Sequence, residues 1–111
     1  MKDFDLTTLR LFVAVCEAKS IKRVAEREQV DASAITKRIA KLEDQLQVPL
    51  IKRVRQGVQA TPEGAMFCEH AAQLVQDAKQ LALNMSRSKD GLKGSLTLAA
   101  SSANVASVLT D

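Results

Sequence analysis

The chain has 111 residues and a net charge of +3, with 16 Lys and Arg against 13 Asp and Glu. This length suits one domain, or a small domain with an appendage, and 46% apolar residues exclude a disordered chain. No apolar run approaches the roughly 18 residues of a membrane span, and the charged start MKDFDLTTLR is unlike a secretory signal. We therefore expect a cytoplasmic protein with no membrane partner.

The charge is unevenly distributed along the chain. Residues 19–60 carry ten basic and five acidic side chains, whereas the rest of the chain is slightly acidic. A basic excess in one segment favours a nucleic-acid partner more than the net charge alone does.

Residues that could support enzyme chemistry are sparse. Cys16 and Cys68 lack the CxxC spacing and lie in apolar helical patterns, which is typical of buried, reduced thiols. His70 is the one histidine, so a histidine-based metal site and a nucleophile–base pair both lack partners. The four glycines are too scattered for a phosphate-binding loop. We expect no catalytic residue, no metal and no cofactor.

Two helices are predicted at the start of the chain. Residues 6–18 place apolar side chains at helical spacing, and Asp5 precedes them as a suitable N-cap. Ser20 caps a second, short helix that ends near Glu28.

A third helix is predicted over residues 32–46, after a tight turn and with Asp31 as its N-cap. Its apolar side chains form one narrow stripe: Ile35, Ile39, Leu42 and Leu46. Small, hydroxyl and basic side chains lie on the other side: Ser33, Thr36, Lys37, Ala40 and Lys41. A single solvated helix often has such a face. Two short helices joined by a tight turn are, however, typical of a helix-turn-helix, whose second helix enters the major groove of DNA.

A short basic hairpin is predicted next. Pro49 ends the third helix, and two strands over residues 50–55 and 58–60 flank a turn at Gln56-Gly57. The first strand and the turn hold three basic side chains: Lys52, Arg53 and Arg55. A hairpin in this place is the wing of a winged helix-turn-helix, and its arginines can contact phosphates or the minor groove.

A long helix follows the hairpin. Thr61 as N-cap, Pro62 at the first position and Glu63 in the first turn are a strong start signal. The helix can continue to about Lys89, a length of about 40 Å. Its seam of apolar and small residues is a heptad pattern and predicts a dimer interface: Phe67, Ala71, Leu74, Val75, Ala78, Leu81, Ala82 and Met85. The alternative is that this face folds back on its own protomer.

The last part of the chain predicts a linker and an incomplete second domain. Residues 86–95 are polar and contain two glycines, and residues 96–100 are typical of a strand before a further helix. One strand and part of a helix cannot form a domain alone.

In order and spacing, these segments resemble the N-terminal part of LysR-type transcriptional regulators. The matching segments are LRLFVAV in the first helix, Ser20 and Ala25 in the second, SAITKRIAKLEDQL at 33–46, VPLIKR at 48–53 and TPEG at 61–64. GSLTLAAS at 94–101 resembles the first strand of that family's effector-binding domain.

The resemblance implies a mainly α fold in three parts. A winged helix-turn-helix DNA-binding domain covers residues 1–61, a long linker or dimerisation helix covers 62–89, and a hinge with the start of an effector domain covers 90–111. It implies a homodimer, through residues 62–89, that binds an interrupted palindrome in double-stranded DNA. A tetramer is left open for a full-length form, and a small-molecule effector applies only where an effector domain is present.

The resemblance also implies the DNA contacts. The contact positions of the recognition helix are Ser33, Thr36, Lys37 and Arg38. The full set of candidate DNA contacts adds two further residues of that helix and two arginines of the wing: Ala32, Lys41, Arg53 and Arg55. Ala32 stands where the family often has glutamine, and its methyl group can touch only a thymine methyl. Glu28 replaces an apolar residue, so its helix must tilt or its carboxylate must reach solvent. Gln47 replaces a frequent glycine, where a left-handed conformation is strained.

Two other functions compete with duplex binding. A protein-interaction module would use the heptad helix to recruit a partner, without specific DNA binding. A single-strand binder would stack bases on exposed aromatic rings. The chain has no Trp or Tyr, and Phe4 is the one phenylalanine outside the apolar stripes, which disfavours the second alternative.

Overall fold

A computed structural model of the protein describes residues 3–94, with side chains described as far as residue 88. The elements in chain order are α1 (Leu6–Ala18), α2 (Ile21–Glu28), α3 (Ala32–Leu46), β1 (Ile51–Val54), β2 (Gly57–Ala60) and α4 (Pro62–Gly94). The predicted winged helix-turn-helix followed by a long helix is confirmed. The strand predicted at residues 96–100 and the helix after it lie outside the described residues.

The helix starts follow the capping residues of the sequence. The Asp5 carboxylate accepts a hydrogen bond from the Thr7 N–H, and the Ser20 hydroxyl accepts one from the Arg23 N–H. Each bond satisfies a backbone donor that has no partner inside the helix. Asp31 occupies the third N-cap position, but its side chain makes no capping hydrogen bond.

The first three helices all end in the left-handed conformation without a glycine. Lys19, Gln29 and Gln47 have φ of 58°, 58° and 59°. A side chain makes this conformation costly, because Cβ crowds the following carbonyl. The left-handed conformation expected at Gln47 is therefore confirmed, and it recurs at two further helix ends.

The core lies between α1, α2, α3 and the hairpin. Its largest fully buried side chains come from all three helices and from the residue before β1: Phe12, Val15, Val24, Ile35, Leu42 and Leu50. Val58 of β2 is also buried against this cluster, and its N–H donates to the Lys19 carbonyl at 3.1 Å. The hairpin is thus held against the end of α1.

Thr61 joins the start of α4 to the hairpin. Its hydroxyl donates to the Pro49 carbonyl at 2.7 Å and accepts from the Gly64 N–H at 3.0 Å, and its own N–H donates to the Leu50 carbonyl at 3.0 Å. Gly64 lies so close to the Leu50 carbonyl oxygen that a Cβ atom would collide with it. This position requires glycine for space, since its φ is an ordinary one.

The first turns of α4 pack against their own protomer. The Phe67 ring packs nearly perpendicular to the rings of Phe12 and Phe4, with centroids 5.5 Å and 5.7 Å away, and Ala71 is buried. In the single chain, Ala71 is thus already buried and Phe67 half-buried by the same protomer, whereas the prediction assigned both to the dimer seam. Near them, the free Cys16 and Cys68 thiols are neighbours, and burial, together with Cys68, raises the pKa of Cys16 to about 12.

α4 is longer than predicted. It continues to Gly94 rather than ending near Lys89, so residues 86–94 of the predicted linker are helical. Glycine weakens a helix by about 1 kcal/mol but does not block it as proline does, and the segment contains no proline. The chain divides into two compact units, Met1–Gln76 and Asp77–Asp111, and the division falls within α4. Across residues 3–94, no helix has the length and apolar character to cross a membrane.

Candidate nucleic-acid interface

The outer face of α3 gathers most of the predicted contact residues. Its buried stripe, Ile35, Ile39 and Leu42, faces the core. The side chains away from that stripe are all exposed: Ala32, Ser33, Thr36, Lys37 and Lys41. Short hydroxyl groups near the start of a helix, with lysines beside them, suit a helix that presents its first turns to base edges and phosphates.

Arg38 does not share that outer face. It lies three residues after the buried Ile35, which places it about 60° from the core stripe of an ideal helix. Its Nη1 donates to Asp5 Oδ2 at 2.6 Å and to Thr8 Oγ1 at 2.8 Å. The Arg38 guanidinium holds the pKa of Asp5 below its ordinary value, and the Thr7 N–H acts in the same direction.

The predicted wing is a tight antiparallel hairpin. Arg53 pairs with Val58 and Val54 pairs with Gly57, which leaves Arg55 and Gln56 as the turn. Gly57 has φ of 139°, a value that side chains rarely adopt. The three basic side chains of the hairpin are exposed: Lys52, Arg53 and Arg55. Arg55 therefore lies at the tip, where a wing approaches the DNA backbone.

Glu43 connects α3 to the hairpin. Its Oε2 accepts from the Leu50 N–H at 2.7 Å and from the Ile51 N–H at 3.3 Å. These are charge-assisted bonds to the backbone just where β1 begins. No local sequence signal indicates this role, because an acidic residue near the end of a helix usually faces solvent.

Glu28 is stabilised by an ion pair rather than left to solvent alone. Its Oε1 lies 2.7 Å from Nη1 of Arg10, and this pair joins α2 to α1. The Arg10 guanidinium holds the pKa of Glu28 below its ordinary value. The sequence predicted that α2 must tilt or that the Glu28 carboxylate must reach solvent. The structure instead pairs this carboxylate with Arg10, 18 residues earlier in the chain.

The rest of the predicted α4 seam is largely uncovered. Leu74 is 52% exposed, Leu81 is 62% exposed and Met85 is 61% exposed. Ala82 is exposed as well, whereas Val75 and Ala78 are half-buried. Large apolar side chains at seven- and four-residue spacing are thus left facing solvent in the single chain.

Residues 6–65 match the family model described as bacterial regulatory helix-turn-helix protein, lysR family. The chain belongs to this family. The matched region contains α1, α2, α3, the hairpin and the first residues of α4. The resemblance inferred from the sequence is therefore confirmed.

Relatives of the chain are helix-turn-helix transcriptional regulators. It is 34% identical over 97 residues to an HTH-type regulator from the ibpB-leuC intergenic region of Azotobacter vinelandii, covering 87% of this chain and 67% of that protein. It is 34% identical over 77 residues to the regulator CzcR of Bacillus subtilis, covering 69% of this chain and 27% of CzcR. The chain thus spans about a quarter of a relative such as CzcR.

Solved DNA-binding domains have the same fold. A crystal structure of the BenM DNA-binding domain with catB site 1 DNA matches with a TM-score of 0.72 and 31% identity, over 76% of this chain and 93% of that one. A complex of the CbnR DNA-binding domain with DNA matches with a TM-score of 0.70 and 30% identity, over 78% and 99% of the two chains. BenM is a regulator of Acinetobacter baylyi.

Proposed function

We propose that this chain is the DNA-binding part of a LysR-type transcriptional regulator, which binds an interrupted palindrome in double-stranded DNA as a homodimer. One observation carries the proposal: the exposed polar face of α3 and the basic hairpin belong to one packed body, in a family whose members include the DNA-bound BenM and CbnR domains. Such a regulator works at chromosomal DNA in the cytoplasm.

The exposed residues divide between base and phosphate contacts. Ser33 and Thr36 lie on the first turns of α3, where their hydroxyl groups can bond base edges, and the Ala32 methyl can touch a thymine methyl. The basic side chains supply the phosphate contacts that give most of the affinity: Lys37, Lys41, Arg53 and Arg55.

The homodimer is proposed from the uncovered apolar residues of α4. Leu74, Leu81 and Met85 are 52–62% exposed, so covering the exposed part stabilises an assembly by about 1–2 kcal/mol for each side chain before the costs of association. A second copy offers the same stripe, which makes a two-fold symmetric interface the simplest cover. Two linked winged domains then require two half-sites with a defined spacing.

The decisive experiment is selection of duplexes bound by this chain from a random pool. We expect a motif of two inverted half-sites separated by a spacer of constant length. An enriched motif without two-fold symmetry would contradict the dimer, and no enrichment over input DNA would contradict specific binding.

Lys37→Ala tests the predicted phosphate contact. We expect weaker binding and a salt slope, the change of log K with log salt concentration, that is shallower by about 0.9 for each protomer bound. Fluorescence anisotropy with a selected duplex measures both. Unchanged affinity and slope would remove Lys37 from the interface.

A pair of leucine variants tests the dimer. Leu81 lies on the predicted seam, and Leu83 is also more than half exposed but lies about 160° away around the helix. We expect Leu81→Ser to shift the protein toward monomer in sedimentation equilibrium, whereas Leu83→Ser keeps the wild-type dissociation constant. Equal effects of the two substitutions would argue against the seam.

A further inference from the structure

Arg38 differs from the other basic residues of α3 in having firm partners. One nitrogen, Nη1, reaches both the Asp5 carboxylate at 2.6 Å and the Thr8 hydroxyl at 2.8 Å. These partners lie 33 and 30 residues earlier, at the first turn of α1. The contact therefore connects the recognition helix to a different element of the body.

The acceptors on α1 form a closed network. The Thr8 hydroxyl donates to Asp5 Oδ2 at 3.2 Å, and Asp5 Oδ1 accepts the capping bond from the Thr7 N–H at 3.2 Å. Thr8 is a buried polar residue, and Asp5 serves both as helix cap and as ion-pair partner. Moving Nη1 of the guanidinium to a DNA phosphate would break two charge-assisted hydrogen bonds to this network, one of which is also an ion pair.

The charges around Arg38 are divided unequally. The cleft between the start of α1 and α3 is lined by two acidic residues, Asp3 and Asp5, and by three basic residues, Lys37, Arg38 and Lys41. Of these three, Arg38 is the one that forms an ion pair within the described residues, so its charge is already partly balanced by Asp5. Arg55 differs in this respect, because it lies exposed in the turn of the hairpin.

We propose that Arg38 is a positioning residue, which fixes the orientation of α3 against the first turn of α1, and that it is not one of the phosphate ligands. This inference rests on the proposed DNA-binding function and replaces the contact that the family resemblance implied for Arg38. A recognition helix held at one angle presents Ser33 and Thr36 to the same base edges each time. Loss of the contact between Arg38 and the first turn of α1 lowers the discrimination between DNA sequences without removing a phosphate contact.

The test compares the same substitution at two arginines, Arg38→Met and Arg55→Met. The probes are a fluorescein-labelled duplex selected by the wild-type chain and a scrambled duplex of equal base composition, titrated by anisotropy at several salt concentrations. For Arg38→Met we expect the ratio of the two affinities to fall about tenfold with an unchanged salt slope. For Arg55→Met we expect a slope that is shallower by about 0.9 per protomer on both duplexes with an unchanged ratio.

Asp5→Asn provides a second variant that keeps the helix cap, because asparagine caps as well as aspartate. We expect the same fall in the affinity ratio and the same salt slope as for Arg38→Met. In the double variant, the affinity ratio should fall no further than in either single variant, because the two substitutions remove the same interaction. Urea denaturation establishes that each variant is folded at the titration temperature, so a loss of stability alone cannot produce the change.

Two outcomes would overturn the positioning role. They are a slope reduced by about 0.9 in Arg38→Met and a slope made steeper in Asp5→Asn, each of which would identify Arg38 as a phosphate ligand. A wild-type chain that binds the selected and scrambled duplexes equally would instead refute the proposed function itself. The two failures are therefore distinguishable.

Discussion

Residues 3–76 and residues 77–88 differ in what covers their apolar side chains. In the first region Phe12, Val24 and Ile35 are fully buried by the same chain. In the second region Leu81, Leu83 and Met85 are more than half exposed, and Ala78 is the one residue of that stretch that is even half-buried. The buried core of the first region supplies hydrophobic stabilisation within the chain, whereas the apolar side chains of the second region remain exposed.

The largest effect predicted by this contrast is on the core. Phe12→Ala removes a fully buried ring that also touches Phe67, so we expect the free energy of unfolding to fall by about 3–5 kcal/mol. Leu83→Ala, in the second region, should change it by less than about 0.5 kcal/mol. Urea denaturation followed by far-ultraviolet circular dichroism measures both. Similar losses in the two variants would erase the distinction between the regions.

A smaller effect is expected where α4 meets the hairpin. Gly64→Ala places a Cβ against the Leu50 carbonyl, and the resulting shift should lower the free energy of unfolding by about 1–3 kcal/mol. The neighbouring Ala65 is exposed, so Ala65→Ser is the matched control with an expected change below about 0.5 kcal/mol. A Gly64→Ala protein as stable as the control would show that the contact can relax.

A stabilising change of about 1 kcal/mol is expected at the end of α3. Gln47→Gly removes the cost of a side chain in the left-handed conformation, as the sequence predicted for this position. Ala40→Gly, at an exposed position within α3, should instead destabilise by about 1 kcal/mol, because glycine there only adds flexibility to the unfolded chain. The midpoint temperature of thermal unfolding should rise for Gln47→Gly and fall for the control variant Ala40→Gly. Destabilisation by both glycines would contradict the strain at Gln47.

The smallest expected effect is on the pH dependence of stability. The pKa values of Asp5 and Glu28 lie below their ordinary values of 3.8 and 4.5 because of Arg38 and Arg10. A carboxylate with a lowered pKa stabilises the fold when the pH is above its ordinary pKa. That stabilisation is lost as the pH falls through the lowered pKa. We expect the double variant Asp5→Asn, Glu28→Gln to lose less stability than wild type between neutral and acid pH. Parallel curves for the two proteins would show that the ion pairs make no measurable contribution.

The elements of this fold could be predicted because their signals are local. Asp5 and Ser20 stand directly before the helices that they cap, and Pro62 stands at the first position of α4. The exposed face of α3 follows from helical periodicity alone. The end of α4 could not be predicted in this way, because glycines in a polar stretch resemble a linker even where the helix continues.

Contacts between residues distant in sequence could not be predicted. Asp5, the partner of Arg38, is 33 residues away, and the role of Glu43 depends on a strand that begins after a turn. Phe67 lies on the heptad seam and also within reach of Phe12, and only the packing of α1 against α4 decides between these environments. The angle of Arg38 close to the core stripe was the one available sequence signal.

The two bonds from Glu43 to the start of the hairpin have a consequence for the shape of the DNA that can be bound. They attach the end of α3 to the start of the hairpin. In the proposed DNA complex, a duplex whose grooves do not match the separation of α3 and the hairpin would have to bend or change its groove width, at a cost that depends on its sequence. Sequence preference would then extend to base pairs that the protein does not contact.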